Sequence, residues 1–410
     1  PREITCFKAY DLRGILNETI DEDIAYRVGR AFVDVLKVNS VVVGYDARAS
    51  SHELAAALIS GIRDAGATVI DIKLAGTEEV YNATSHFGAG GGIEITASHN
   101  PINYNGMKIV AEGSRPVDPD GELAKVHKVA EAGRFEVQTR IGAYRDAHIE
   151  ARCAYVKKVL SFIDVGSLRP LKLVVNCGNG AAAAAYTAIK QELANQSAPL
   201  VFVDQFLEPD ASFPNGIPNP LLVENQPVTR EKVLGSQADI GVAFDGDFDR
   251  CFFFDETGQF IPGEYIVGLL ADVFLDKEAA AAIVHDPRVV LNTRDVIAAK
   301  GGQAVQSRTG HAFVKQVMRK HKAVYGGEMS AHHYFRDFSY CDSGMIPWLL
   351  ICELMGRTGK PLSALLAERM QKFPSSGEHN FKIADPAKAI SAVVDAYKED
   401  ALIKDRSDGV

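Results

Sequence analysis

The chain has 410 residues, 47% hydrophobic and 24% charged, which is the composition of a globular protein too long for one core. Its net charge of −9 speaks against a nucleic-acid surface, which needs clustered Lys and Arg, but allows a local basic pocket for a small phosphorylated ligand. No apolar run is long enough to cross a membrane.

In chain order, PREITCFKAYDLRG lacks the apolar core of a signal peptide. It offers Tyr10 and Arg13, the arginine placed on a short turn where it could fork a phosphate or carboxylate or simply be solvated. SVVVGYDARASS then reads as a strand entering a loop, HELAAALISGIRDAG as a helix and ATVIDI as the next strand. The same succession restarts at LKLVVNCGNGAAAAAYTAIKQEL with PLVFVDQF. It restarts again at RVVLNTRDVIAAKGG, followed by QAVQSRTGHAFVKQVMRKH and AVYGGE.

Strands written as continuous Val/Ile/Leu runs are usually buried on both faces. The expected fold is therefore α/β: three successive similar α/β units with mixed sheets, plus a partial fourth C-terminal domain. Boundaries are placed near residues 145, 255 and 370, where polar or Gly/Pro-rich connections interrupt the pattern. EPDASFPNGIPNPL is expected as a long ordered loop inside the second unit. Near the end, EHNFKIAD predicts a strand and PAKAISAVVDAYKED a helix, too little apolar surface to stand alone. That piece either docks on the third unit or belongs to a fourth domain cut short. The six cysteines, at 6, 153, 177, 251, 341 and 352, show no CxxC or Cys/His spacing. Neither disulfides nor zinc are expected, and a reducing cytoplasm fits.

Three segments carry chemistry. In ITASHNPINYNGMKI, Ser98 follows an apolar strand and a Gly-rich approach that leaves amides free to face an anion, with His99 beside it. A serine can carry a phosphoryl group only if its charge is managed, and Lys108 supplies a positive charge or, with its pKa lowered by nearby cations, a proton shuttle. The plainer alternative is that Ser98 caps a following helix. In VAFDGDFDRCFFFDE, Asp245, Asp247 and Asp249 repel one another and need a compensating cation; all-oxygen ligands select a hard ion, Mg²⁺ where phosphate completes the shell. The spacing imitates an EF-hand loop as far as Glu256, but Arg250 stands where that loop needs Gly and strands flank it. A nucleophilic DxD aspartate, as in haloacid-dehalogenase-type phosphatases, or a solvated acidic turn are further alternatives; Arg250 could also contact a phosphate. In VYGGEMSAHHYFRD, Glu328 and Ser330 suit adjacent sugar hydroxyls and His332 is a candidate acid or base. TGHAFVK adds His311 and Lys315, which could equally be structural or surface positions.

Taken together, KAYDLRG, TASHNP, DGDFDR and GEMSAH resemble the α-D-phosphohexomutase family, most closely its bacterial phosphomannomutase/phosphoglucomutase branch. The resemblance implies a phosphoserine domain (1–145), a metal-binding domain (146–255), a sugar-binding domain (256–370) and an incomplete phosphate-binding domain (371–410). It implies that Ser98 is the phosphoserine and that Asp245, Asp247 and Asp249 hold Mg²⁺ together with the Ser98 phosphate. Arg13, Lys108 and Arg250 would face the reacting group, and Glu328 and Ser330 would hold the sugar. Tyr10, His99, His311 and His332 would complete the pocket. The implied reaction moves phosphate between C6 and C1 of a hexose, mannose or glucose, through a hexose-1,6-bisphosphate, for nucleotide-sugar supply. A metal-dependent sugar phosphatase and a non-catalytic sugar-phosphate binding protein are the rivals. The family's final Arg-Ser-Asn-Thr-Glu-Pro-type loop has no convincing counterpart in DRSDGV, so truncation is expected.

Overall fold

The computed structural model describes residues 1–377, 379, 381–401, 405, 406 and 408. The first unit runs β1 (Leu12–Ile15), α1 (Glu22–Leu36), β2 (Ser40–Tyr45), α2 (Ser51–Asp64), β3 (Thr68–Leu74), α3 (Thr77–His86), β4 (Gly91–Ile95), β5 (Tyr104–Ala111), α4 (Ala124–Ala132) and β6 (Tyr144–Asp146). The second is α5 (His148–Leu160), β7 (Leu171–Asn176), α6 (Ala182–Asn195), β8 (Leu200–Gln205), α7 (Pro227–Ser236), β9 (Ile240–Phe244), β10 (Cys251–Phe254) and β11 (Phe260–Ile261). The third is α8 (Gly263–Lys277), β12 (Ala282–His285), α9 (Val290–Ala299), β13 (Gln303–Gln306), α10 (His311–His321), β14 (Tyr325–Gly327), β15 (His333–Phe335), β16 (Cys341–Asp342), α11 (Met345–Thr358) and α12 (Leu362–Lys372). A last helix, α13 (Pro386–Tyr397), follows.

The sheets are ordered β1-β5-β4-β2-β3-β6, β11-β10-β9-β7-β8 and β13-β12-β14-β15-β16. The first has four neighbouring parallel strands and the other two have three each, and in every sheet the parallel strand at one end of that run leads into an antiparallel return: β4 to β5, β9 to β10 and β14 to β15. The expected mixed α/β units are thus present three times over. Their apolar runs explain the layering. β4 and β9 are buried at every position, as strands covered on both faces must be. From Met345 to Met355 every residue of α11 is buried, because that helix is apolar all round and lies inside the packed assembly.

One core cluster runs continuously from the second unit into the third and takes in Tyr81 and Val110 of the first. α3 secures that junction: Glu78, fully buried, accepts from Gly344 N (2.9 Å), Met345 N (3.2 Å) and the Ser343 hydroxyl at the start of α11. Arg250 and His332 form an isolated antiparallel bridge between the second and third units.

Several local expectations change. Arg13 lies within β1, paired to Gly106, not on a turn. The third unit's first strand is β12, and RVVLNTRDVIAAKGG is turn and helix, because Asp286 and Pro287 end that strand before the valines. EPDASFPNGIPNPL is free of helix and strand, as expected. Among the described residues of EHNFKIAD no strand forms; Glu378 and Asn380 lie outside them. PAKAISAVVDAYKED does contain α13, but that helix buries none of its residues; beyond it, Asp405 accepts from Gln306 and Asp408 from Thr309 N of the third unit. Of DRSDGV, only Asp405, Arg406 and Asp408 are described. No helix among the described residues is long and apolar enough to cross a membrane.

Candidate active site

The three chemical motifs occupy one topological position: each is the loop from the last parallel strand to its antiparallel return. Each loop also holds one non-glycine residue in the left-handed backbone region, Ser98 (φ 49°), Phe248 (φ 46°) and Ala331 (φ 69°). Such conformations persist only where surrounding contacts enforce them, and they concentrate at functional loops. The loop after β4 runs directly into β5, so Ser98 caps no helix.

Across 147 residues of sequence, Ser98 Oγ donates to Asp245 Oδ2 at 2.8 Å. Arg250 donates to Ser98 Oγ at 3.2 Å and to Asp245 Oδ2 through Nε at 3.0 Å; it also donates to His99 Nδ1. Backbone approach is close enough to demand glycine: a Cβ on Gly246 would lie 2.4 Å from the Ser98 carbonyl oxygen.

Asp245, Asp247 and Asp249 are buried, with ligand oxygens all within 4.8 Å of one another. Lys108 Nζ from β5 donates to Asp247 Oδ2 at 2.6 Å and to Asp249 Oδ2, and Thr77 Oγ1 donates to Asp247 Oδ2. Burial pushes the Asp245 carboxyl up, against Arg250 and with help from its two neighbours, to about 6. Asp249 is held well below its usual range, since Lys108 and His332 outweigh burial. Burial alone would lower Lys108, but Asp247, Asp249 and Asp245 together raise its pKa. The expected lowering is not found, because the lysine faces carboxylates more closely than cations.

In the third loop, Glu328 is buried and accepts from Gly310 N at 2.8 Å and from the Tyr334 hydroxyl. His332 Nδ1 lies 3.5 Å from Glu328, its Nε2 3.5 Å from Asp249, and Ser330 Oγ 3.1 Å from its Nδ1. Burial would lower the imidazole, but Asp249 and Glu328 hold it up at about 9. Glu328 is correspondingly low, about 2, the histidine and its donors overcoming burial. His99 is the reverse case, driven down to about 3 by burial and by Arg250. Tyr10 stacks edge-on against His311 at 4.6 Å, joining the first unit to the third. Both ring nitrogens of His311 are buried without a hydrogen-bond partner, so it is not the satisfied structural histidine of the plainer reading. Arg13 donates to Asp11 at 2.7 Å and to the Thr96 carbonyl at 3.3 Å. Lys315 is not a surface residue: it is buried, paired to Asp342 at 2.6 Å and set over the Tyr81 ring.

Sequence reasoning passed over several residues. Arg48 donates to the Ser98 and Asn100 carbonyls, and Asp46 holds Arg48. Their signal was present in YDAR, an Asx residue ending an apolar strand. Glu94 lies opposite Lys108 on the adjoining strand, fully buried with neither oxygen partnered, and only register reveals it. Thr77 had no local signal.

The sequence matches the description "Phosphoglucomutase/phosphomannomutase, alpha/beta/alpha domain I" over residues 5–135, domain II over 153–258 and domain III over 262–373. It is 54% identical over 411 residues to the phosphomannomutase of Escherichia coli (strain K12), covering 100% of this chain and 90% of that one. With the "Phosphohexose mutases" protein of Xanthomonas campestris pv. campestris (strain B100) the identity is 48% over 407 residues, 99% of this chain and 89% of the other. A crystal structure of a phosphoglucomutase/phosphomannomutase family protein from Burkholderia thailandensis superposes with a TM-score of 0.79 at 34% identity, covering 88% of this chain and 79% of that chain.

Proposed function

The chain belongs to the phosphoglucomutase/phosphomannomutase family, and from that membership we propose that it interconverts mannose 6-phosphate and mannose 1-phosphate with Ser98 as phosphoryl carrier. It is an intramolecular phosphotransferase. One observation carries the residue assignment: Ser98 Oγ stands 2.8 Å from Asp245, inside a cluster of three carboxylates, Lys108 and Arg250 drawn from two units.

The donor set fits Mg²⁺. Asp245, Asp247 and Asp249 offer only oxygen, and Oδ1 of both Asp247 and Asp249 is buried without a hydrogen-bond partner. A bound ion neutralises charge on the phosphoryl oxygens. The protein's own residues do the rest. Arg13, Lys108 and Arg250 face the transferring group as fixed charges. Glu328 and Ser330 hold adjacent sugar hydroxyls, with Tyr10, His99 and His311 lining the cleft. The substrate's free hydroxyl oxygen bonds to phosphorus as the bond to Ser98 Oγ breaks; Oγ keeps the electron pair and gains the proton the hydroxyl loses. His332, which lies 3.5 Å from both Asp249 and Glu328, is our candidate to pass protons at this step. The resulting 1,6-bisphosphate turns over in the cleft and returns its other phosphoryl group to Ser98. Catalysis is mainly positioning and charge neutralisation.

The 48% identity to a protein named for phosphohexose mutases favours glucose phosphates as second substrates. Supply of GDP-mannose is the role this reaction suits, in a reducing cytoplasm that leaves the free cysteines unpaired. Incubation with mannose 1-phosphate, Mg²⁺ and catalytic hexose-1,6-bisphosphate tests the reading. A mutase yields the 6-phosphate, a phosphatase yields free sugar, and a binding protein yields neither. Intact mass should show a species about 80 Da heavier, absent from Ser98→Ala.

A further inference from the structure

We infer that Arg48 is a positioning residue for the Ser98 loop, gathering its carbonyls so that the serine oxygen points at the metal-site carboxylates; this rests on the phosphoserine reading above. Arg48 stands just after β2 with its side chain 2% exposed. Its two terminal nitrogens donate to four carbonyl oxygens: Ser98 (3.0 Å), Asn100 (2.6 Å), Pro101 (2.9 Å) and Tyr104 (3.2 Å). Asp46 anchors the arginine, accepting its backbone N–H at 3.0 Å and lying 3.5 Å from Nε. Asp46 is itself held by the hydroxyls of Ser51 at 2.6 Å and Thr96 at 2.7 Å. Thr96 Oγ1 also accepts the Ser98 N–H at 2.8 Å. Both backbone groups of Ser98 are thus pinned by one assembly, at a residue whose left-handed φ of 49° serine does not adopt by preference. The same assembly therefore decides where Oγ points.

The other two units show that the turn alone does not require this arginine. After β7, Gly178 N donates to Asn176 Oδ1 at 2.9 Å; after β12, Arg288 N donates to Asp286 Oδ1 at 3.0 Å. These are the same Asx turn at the end of the equivalent central strand. The second unit closes it with glycine at the arginine position. In the third, Arg288 folds back on Asp286 at 2.6 Å and remains 34% exposed. Only in the first unit is the guanidinium driven into the neighbouring loop. Its contacts there serve that loop, not the turn.

The test compares Arg48→Gln, Arg48→Lys, Thr96→Val and Ser98→Ala in the full chain. Readouts are kcat, KM for mannose 1-phosphate, Mg²⁺ affinity, and the rate at which Ser98 gains phosphate from hexose-1,6-bisphosphate by intact mass. A displaced nucleophile lowers kcat and the phosphorylation rate of Arg48→Gln about 100-fold. KM, and the Mg²⁺ affinity of the unphosphorylated chain, stay as in the parent, because the sugar loop and the aspartates are untouched. Arg48→Lys, with one point charge for four acceptors, recovers only part of the loss, and Thr96→Val shows the same kcat-only pattern more mildly. Parent-like kcat in both Arg48 variants overturns the inference, as does a kcat loss matched by losses in KM and Mg²⁺ affinity. If Arg48→Gln does not fold, Arg48→Lys and Thr96→Val decide by the same criterion. Turnover in Ser98→Ala would instead sink the phosphoserine reading; a dead Ser98→Ala beside normal Arg48 variants would sink the positioning role alone.

Discussion

Replacing Lys108 with Met should weaken the metal-free protein and at the same time tighten its hold on Mg²⁺. The ammonium bridges Asp247 and Asp249, with side-chain exposures of 8%, 0% and 2% in that order. Removing one partner of a buried ion pair costs about 3–5 kcal/mol, because the remaining charge is stranded. Asp247 loses its ammonium partner here, while Asp249 keeps His332 at 3.5 Å and Arg250 stays with Asp245 at 2.7 Å. Urea unfolding of Lys108→Met in EDTA should therefore fall short of the parent by about 3–5 kcal/mol. The same two carboxylates are proposed metal ligands, so the ammonium's charge opposes a cation bound to them. Any form gains about 2.7 kcal/mol when Mg²⁺ is at a hundred times its Kd. The variant reaches that ratio at a lower concentration, so Mg²⁺ should restore more of its stability than it adds to the parent. Urea curves in EDTA and in Mg²⁺, with calorimetric titration of the ion, provide the assay. Mutase activity should be lost throughout, since the charge is also needed at the transferring group. The reasoning fails if Lys108→Met is as stable as the parent in EDTA, or if it binds Mg²⁺ more weakly.

Glu94 is buried without a hydrogen-bond partner, and burial, reinforced by Asp46, Asp247 and Glu79, raises its carboxyl well above the ordinary value of 4.5. The folded pKa exceeds the unfolded one, so the wild type loses stability as pH climbs past about 4.5. Glu94→Gln should match it in urea at pH 4 and exceed it at pH 8; parallel pH profiles would count against this. His332 also has a raised folded pKa, so its contribution is complete below 6.5 and disappears as pH rises through about 9. In EDTA, His332→Asn should flatten that decline, and an unchanged slope would contradict the assignment. Glu78→Ala strands two backbone donors and a hydroxyl at the start of α11, at about 1–3 kcal/mol for each unsatisfied group. Hydrogen exchange at Gly344 and Met345 should accelerate; exchange at the parent rate would mean that α3 does not secure the junction.

The three functional loops use one solution. A parallel strand ends, the chain passes through a left-handed residue, and an antiparallel strand carries it back. Each turn sets side chains beside the carboxyl ends of the parallel strands, where open α/β sheets ordinarily bind ligands. Strand–helix alternation made the three units legible, since each unit repeats the same apolar periodicity within a short window. RVVL misled because its β-branched residues favour a strand, yet β12 already fills the place between β13 and β14. The helix that follows then buries Asn292, Thr293 and Ile297 instead.

Sequence alone determined the α/β class, the three units and the candidate chemistry of Ser98, the aspartate cluster and Glu328, because each is written in a few adjacent residues. Tertiary structure decided how their charges are balanced. Strand register sets Lys108 opposite Glu94 and sends its ammonium to Asp247 and Asp249, reversing the direction expected for its pKa. Topology brings Arg48 beneath Ser98, and docking of the third unit brings His332 to Asp249. Coulombic and hydrogen-bond energies depend on distance in space, and no local window of sequence records contacts between residues 50 to 141 positions apart.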